Sequence, residues 1–138
     1  MADIIPKEVK EEIVNGWLAE QWKACLLTNA FTYVSGTHVF YTDLTNEATG
    51  SGYIAGGKDV VKLPWAGGSG FSGDNAFIDA EDIAWSSATL SNVRYVVVYE
   101  NTTASKKIRA IYQFTGDKSV TNGTMTILWN ASGLLRIF

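Results

Sequence analysis

The one histidine of the chain, His38, lies five residues before Asp43. A histidine that is oriented by an acid and placed beside a serine hydroxyl is the minimal arrangement for acyl transfer, and Ser35 or Ser51 could supply that hydroxyl. No nucleophile-elbow sequence and no metal-ligand spacing accompany His38. A small hydrolase that uses His38 is therefore the minor alternative. The sequence favours a histidine that hydrogen-bonds within the scaffold of a protein that is not an enzyme.

The carboxylates and the single cysteine offer little further chemistry. Two neighbouring pairs of acids are of the kind that a glycosidase uses, but solvated turns explain both. These pairs are Asp43 with Glu47 and Glu81 with Asp82. The acidic run that begins at Asp79 lacks the glycine and the terminal glutamate of a calcium loop. Cys25 stands in an apolar run, so we expect a small buried residue rather than a metal ligand or a disulfide. The sequence thus predicts no metal and no cofactor.

The stretch from Gly50 to Val60, GSGYIAGGKDV, has the glycine content of a phosphate-binding loop. A dinucleotide fingerprint needs its glycines between a strand and a helix, and a Walker loop needs Gly-Lys-Ser/Thr before a helix. Here Lys-Asp follows the last two glycines, and Pro64 interrupts any long helix. We therefore predict a structural turn that carries Tyr53 into the core, because glycine permits positive φ. Its glycines are Gly50, Gly52, Gly56 and Gly57.

The chain is mildly acidic and poor in charge. With 138 residues it is predicted to form a single domain, residues 1–138, with a core of its own. Charged residues make up 18%, below the ~25% of typical globular proteins. We therefore expect a surface that associates with partners, including a homo-oligomer, for which a trimer is one option. A net charge of −3 gives no basic stripe, and no apolar run approaches a membrane span, so we expect neither nucleic acid nor membrane as a partner.

The N-terminal segment, residues 1–20, is predicted to be a short amphipathic helix. Pro6 suits its first position, acids follow in the early turns, and apolar residues spaced by four share one face. That face carries Val9, Ile13 and Trp17. We expect Ile13 and Trp17 to form a secondary contact with a partner.

The predicted β-rich body, residues 23–138, begins with a buried strand in the run KACLLTNAF. Thr37 then suits the N-cap of a short helix. Residues 62–75 are predicted to be a glycine-rich loop that carries Trp65 and Phe71. Long loops are uncommon unless they are functional, so two large aromatic residues on a flexible tether are candidate anchors for a neighbouring subunit. Folding back over the core is the open alternative.

The second half of the chain is predicted to be β. Two short strands about an acidic turn are expected in NAFIDAEDIAWSSATL, and a strand buried on both faces in VRYVVVYE. Further strands are expected in KIRAIYQF, TMTILW and LLRIF, with turns at GDKSVTNG and NASG. Five or more antiparallel strands predict a β-rich α+β fold, either an antiparallel β-sandwich or a barrel-like domain, with a short N-terminal helix.

The order of these motifs resembles a group of small structural proteins of tailed bacteriophages. Their pattern runs from an apolar strand through an aspartate-containing segment to a turn like GTGYTAGG, then W.A.T, RY.V.Y and a closing NGT, W and G.LR. Here the resemblance spans about Lys23 to Phe138, and its most specific parts are Gly50 to Gly57 and the pair Arg94 and Tyr95. The segment PWAGGSGFSGDN departs from the pattern because it is longer and richer in glycine.

The resemblance implies a structural protein of the virion with no active site. It implies synthesis in the host bacterial cytoplasm, localisation to the virion, and the major capsid protein or other virion proteins as partners. Within that class we expect a capsid decoration or cement protein, with Trp65 and Phe71 as its interface anchors. A tail, connector or fibre-base component is the alternative, because a position in the virion does not transfer with the resemblance.

Overall fold

The computed structural model of the protein describes residues 5–130 and 133–137. Within these residues it is mostly β, 49% strand, with two antiparallel sheets and one short α-helix near the N-terminus, which confirms the predicted β-rich class. The sheets do not form a closed barrel, against the barrel-like option. In chain order the elements are α1 (Lys7–Leu18), β1 (Trp22–Thr28), a 3₁₀ helix (Tyr41–Asp43), β2 (Lys58–Val60), β3 (Gly70–Ser72), β4 (Asn75–Ile78), β5 (Ile83–Glu100), β6 (Ile108–Ile127) and β7 (Leu135–Ile137). No helix in this part of the chain is long and apolar enough to cross a membrane.

The chain forms two compact units that alternate along the sequence. The large unit comprises Gln21–Val60 and Ile83–Ile127, and its four-stranded sheet has the order β2-β1-β5-β6. The small unit comprises the described residues of Met1–Glu20, Val61–Asp82 and Leu128–Phe138. It contains α1 and a three-stranded sheet in the order β3-β4-β7. The single domain stays a prediction.

The core of the large unit is built on β1 and β5. β1 pairs antiparallel with β2 and with β5, in a register that places Cys25 opposite Val97. Most of β1 is buried, which confirms the predicted strand, although it ends at Thr28. Five buried residues form one cluster in this unit: Cys25, Leu27, Phe31, Val97 and Tyr99. Each large apolar side chain removed from water in this way contributes about 1.5–3 kcal/mol.

β5 and β6 are far longer than the sequence predicted. β5 has 18 residues and β6 has 20, and the two strands pair antiparallel along their lengths. The predicted turn GDKSVTNG is wrong, because it lies inside β6. Five register shifts interrupt the pairing, and Asn92 and Asn122 adopt positive φ within the strands. Bulges of this kind let a strand pair continue through residues that would otherwise end it.

α1 confirms the predicted helix but not its predicted apolar face. The helix packs against β4 with Val14 fully buried and Lys10 7% exposed, whereas Val9 is 39% exposed. Successive residues of an α-helix are rotated by about 100°. The buried stripe is therefore turned away from Val9, and Ile13 and Trp17 lie half-buried at its margin.

The stretch 62–75 is not a loop throughout. Its second half holds β3, Gly70–Ser72, which pairs antiparallel with β4, Asn75–Ile78. A two-residue turn joins the strands, and its first residue, Gly73, has φ of 62°. Positive φ at such a turn matches the twist of the flanking strands, so glycine here forms a hairpin rather than an open loop. The prediction of a continuous loop is wrong for this reason.

Candidate functional site

The predicted anchors Trp65 and Phe71 lie together in the small unit. Their ring centroids are 4.9 Å apart at an interplanar angle of 89°, the edge-to-face arrangement that aromatic pairs favour. The Lys7 ammonium lies 4.3 Å from the Phe71 ring centroid and makes a cation–π contact. Both rings are half-buried, so each keeps part of its surface in contact with solvent.

Ser69 makes the segment beside Trp65 rigid. Ser69 is 2% exposed, and its hydroxyl donates to the Leu63 carbonyl oxygen at 2.7 Å and accepts from the Asp79 amide at 2.9 Å. The Ser69 amide also donates to the Pro64 carbonyl oxygen at 3.2 Å. Trp65 therefore lies in a hydrogen-bonded turn between Pro64 and Ser69 rather than in a segment without hydrogen bonds.

The predicted secondary contact lies further along α1. Lys7, on the first turn, contacts the aromatic pair, whereas Trp17 follows it by ten residues, about 15 Å along the helix axis. Ile13 lies between them, and both Ile13 and Trp17 are half-buried. The Lys10 ammonium donates to the Asp74 carbonyl oxygen at 2.7 Å and so ties the middle of α1 to the turn between β3 and β4.

In the stretch Gly50 to Val60, residues 50–57 form a bend in the large unit, and β2, Lys58–Val60, rather than a helix follows the bend. The bend places Tyr53 in the core, where it is 9% exposed. The φ angles of its glycines are 157° at Gly50, 78° at Gly52, 99° at Gly56 and 82° at Gly57. A Cβ atom at Gly57 would lie 1.8 Å from the Ala24 carbonyl oxygen, so glycine alone fits against β1.

Glu47 connects this bend to two tyrosines. Its Oε1 accepts from the Tyr41 hydroxyl at 2.6 Å, and its Oε2 accepts from the Tyr53 hydroxyl at 2.5 Å and from the Gly56 amide at 2.8 Å. The Tyr53 hydroxyl in turn accepts from the Leu26 amide at 3.0 Å. Sequence reasoning missed this role, because Glu47 and Tyr53 lie outside the regular helices and strands, where periodicity does not indicate which side chains meet.

Burial controls the ionisation of the groups around Glu47. Burial is the largest cause that raises the pKa of Tyr41 and of Tyr53, and the hydrogen bonds to Glu47 act in the same direction. Burial likewise raises the pKa of Tyr99 and of Cys25. The hydroxyl groups therefore stay protonated as donors and Cys25 stays a thiol. The arrangement holds the bend in place and supplies no activated nucleophile.

In His38 the two ring nitrogens have the reverse donor and acceptor roles of those in a catalytic triad. Its Nδ1 accepts from the Val34 amide at 2.8 Å, so the ring proton is on Nε2. A triad histidine donates from Nδ1 to the acid and accepts with Nε2. The Asp43 carboxylate instead accepts from the amides of Val39 and Phe40 at 3.2 Å and 2.9 Å. The hydrolase alternative gains no support from this geometry.

The short helix predicted to begin at Thr37 is wrong in start and length. A single 3₁₀ turn, Tyr41–Asp43, takes its place and has Phe40 as its N-cap. Asp43 satisfies the amide groups that the turn leaves open, which is a capping role. In the small unit, the Asp79 carboxylate accepts from the amide of Ala80 at 2.8 Å. Among the described residues, no group of three or more His, Cys, Asp or Glu side chains is placed to hold a metal ion.

A groove of about 610 Å³ opens beside the first part of β6 in the large unit. Its lining includes Tyr33 and His38, from the segment before the 3₁₀ helix, and Lys107 and Arg109, at the beginning of β6. Sequence reasoning missed this groove, because the segments that form it lie far apart in the chain and neither carries a motif. The groove and the aromatic pair are two places where the described surface offers a concave or partly apolar area to a partner.

No protein-family model, no curated protein and no solved structure matches this chain. The resemblance to bacteriophage structural proteins therefore stays a prediction, and so do the localisation and the partners that it implies. The observations that bear on function are the rigid aromatic pair Trp65 and Phe71 and the groove beside β6.

Proposed function

We propose that the protein is a bacteriophage virion structural protein, and within that class a capsid decoration or cement protein that binds the major capsid shell. The aromatic pair Trp65 and Phe71 carries the proposal. Rings that are already held in place lose little conformational freedom on docking, and large aromatic side chains are typical anchors of protein interfaces. The charge-poor composition and the order of sequence motifs support the same class. An antiparallel β-sandwich is the finer fold assignment that belongs to this proposal.

A cement protein acts by mass action. A surface that only the assembled, expanded shell presents gives the protein a higher affinity for that state, and this difference alone shifts the equilibrium. At a free concentration of about 100 times the Kd, each occupied site stabilises the shell by about 2.7 kcal/mol. Trp65 and Phe71 supply the main contact in this scheme, and Ile13 and Trp17 of α1 supply the secondary one.

The copy number of the protein in purified virions tests the proposal. Quantitative mass spectrometry should find it in near-equal number with the major capsid protein, as expected for a protein that covers the shell. A few to about a dozen copies, the size of closed rings and trimers, would assign it to the tail, connector or fibre base instead. Absence from the particles would contradict both positions in the virion and would return attention to His38.

Substitution of the anchor tests the surface itself. Trp65→Ala should weaken binding to expanded shells about tenfold or more, because truncation of an aromatic anchor costs at least 1–2 kcal/mol of binding free energy. Co-sedimentation with shells that lack the protein measures this loss. Val61→Ala is the matched control, since Val61 is 52% exposed in the same unit and should leave binding unchanged. Loss of the folded circular dichroism spectrum in Trp65→Ala would instead make Trp65 a core residue.

A further inference from the structure

β6 forms one edge of the large sheet, and a short segment already pairs with the beginning of its outer side. The sheet order ends at β6. Phe40 forms an antiparallel bridge with Lys107, and the Ile108 amide donates to the Val39 carbonyl oxygen at 2.9 Å. The groove begins where this segment leaves β6, and its lining includes β6 as far as Gln113 and Tyr95 of the neighbouring β5. An edge strand presents a row of backbone donors and acceptors to whatever enters beside it.

The lining of the groove includes basic but no acidic side chains, although the protein as a whole is acidic. Lys107 and Arg109 line it together with His38, whose ring proton is on Nε2. Among the described residues that line the groove there is no Asp or Glu. Because the chain has a net charge of −3, this local excess of positive charge selects for an acidic ligand and steers it to the groove.

The rim of the groove is apolar and exposed. Tyr33 is 49% exposed and lines the groove, Val34 beside it is 50% exposed, and Phe40 is 37% exposed. In the large unit these three residues and Ile54 are the exposed large hydrophobic side chains of the described chain. Their concentration beside one groove marks a contact surface rather than scattered surface residues.

We infer that this groove binds an extended, acidic peptide segment of a partner protein, which adds as a strand to the outer edge of β6. Backbone hydrogen bonds to β6 supply affinity in this mode, and side-chain contacts supply specificity. Side chains of an added strand alternate between two faces, so a segment of alternating acidic and apolar residues can meet both Arg109 and Tyr33. The inference does not depend on a place in the virion.

A second copy of the chain fits the groove less well than an acidic segment. Two β6 strands paired antiparallel about a twofold axis near Ala110 would place Arg109 of each copy diagonally across from Arg109 of the other, within reach of a long side chain. Like charges that face each other across neighbouring strands are destabilising. The acidic segment replaces this repulsion with attraction.

Fluorescence anisotropy tests the inference with a labelled heptapeptide of alternating glutamate and valine. Saturable binding is expected, and it should weaken as salt rises, because exposed charges are screened. The same peptide with lysine in place of glutamate should bind with an affinity lower by about tenfold or more. Equal binding of the two peptides, or no saturable binding of the glutamate peptide, would overturn the inference.

Two variants separate the groove from general electrostatics. Arg109→Glu should weaken binding of the glutamate peptide about tenfold. Lys118→Glu makes the same change of charge on β6 outside the groove and should leave the affinity nearly unchanged. If Arg109→Glu does not fold by circular dichroism, Lys107→Glu, at the exposed bridge residue just before β6, takes its place. Equal losses in the groove variant and in Lys118→Glu would contradict a specific site.

A backbone-modified peptide tests strand addition directly. Methylation of alternate amide nitrogens in the glutamate peptide removes the donors that an added strand needs, and it should abolish binding when the methylated edge is the one that faces β6. Methylation of the other set of amides should leave binding intact. Hydrogen exchange should slow in the amides of residues 109–114 when the unmodified peptide binds. Unchanged exchange there, or self-association of the protein that Arg109→Glu abolishes, would overturn strand addition by a peptide.

Discussion

Glu100 shows how one buried carboxylate can organise a turn. It is 2% exposed, at the end of β5. Its oxygens accept hydrogen bonds from the Thr102, Thr103 and Lys107 amides at 3.0–3.1 Å and from the Thr103 hydroxyl at 2.5 Å. Burial is the largest single influence and would raise the pKa of Glu100, but the hydrogen bonds together outweigh it and lower the pKa to about 2. The charged form therefore belongs to the folded state.

The pH dependence of stability follows from this lowered pKa. The pKa of an unfolded glutamate is about 4.3, so Glu100 stabilises the fold fully above about pH 5, and this contribution is lost as the pH falls toward 2. Glu100→Gln should lower the free energy of unfolding by about 1–3 kcal/mol at neutral pH. The gap to the wild type should close between about pH 5 and pH 2 in urea titrations. Glu12→Gln, on the exposed side of α1, is the control, and a gap that stays constant with pH would contradict the assignment.

At the scale of residues, the sequence predicted which side chains are buried better than it predicted which groups they hydrogen-bond. The burial of Cys25 was predictable because an apolar run surrounds it, and Tyr53 because glycines flank it. The roles of Glu47 and Glu100 were not, because both carboxylates bind backbone amides whose positions only the fold decides. Trp65 was identified as an aromatic candidate, but the rigidity around it depends on hydrogen bonds of Ser69, a residue type that is common in ordinary turns.

At the scale of elements, the sequence predicted where strands occur but not that two of them form one continuous strand. Local alternation marked the runs in KIRAIYQF and TMTILW, and β6 contains most of both, although it ends at Ile127, before Leu128 and Trp129. The residues between them have the composition of a turn, and the continuous pairing of β6 with β5 overrides that preference. In α1, the four-residue spacing identified a helix, but the buried face depends on how the helix packs against β4. Tertiary contacts decided both differences.

Two glycine substitutions test one structural element in each unit: the bend before β2 in the large unit and α1 in the small unit. Gly57→Ala should destabilise the protein by about 3 kcal/mol, because φ is 82° and the new Cβ would meet the Ala24 carbonyl oxygen of β1 at 1.8 Å. Gly16→Ala should instead stabilise it by about 0.5–1 kcal/mol, since Gly16 lies inside α1 with open space around it. Chemical denaturation measures both changes. A Gly57→Ala protein of wild-type stability would show that the bend does not press against β1.

At the scale of the whole molecule, the two units are interleaved in the sequence. The chain crosses between them after Glu20, Val60, Asp82 and Ile127. The small unit is thus assembled from three segments, and the large unit from two. No single cut of the chain separates the two units. Each unit contains segments that form the chain connections of the other, so ordering one unit limits the freedom of those connections and lowers the entropy cost of closing them.

This interleaving predicts one cooperative unfolding transition. Calorimetry should give a single peak whose calorimetric and van't Hoff enthalpies agree, with about 0.7 kcal/mol per residue near 60 °C. Ser69→Ala in the small unit and Gly57→Ala in the large unit should both move that one peak to lower temperature, because the first removes a buried, hydrogen-bonded hydroxyl and the second adds a methyl group against the Ala24 carbonyl oxygen. Two peaks, each sensitive to only one of these substitutions, would show that the units unfold separately. That result would contradict the single domain predicted for residues 1–138, and it would mean that chain connectivity alone does not couple the two units.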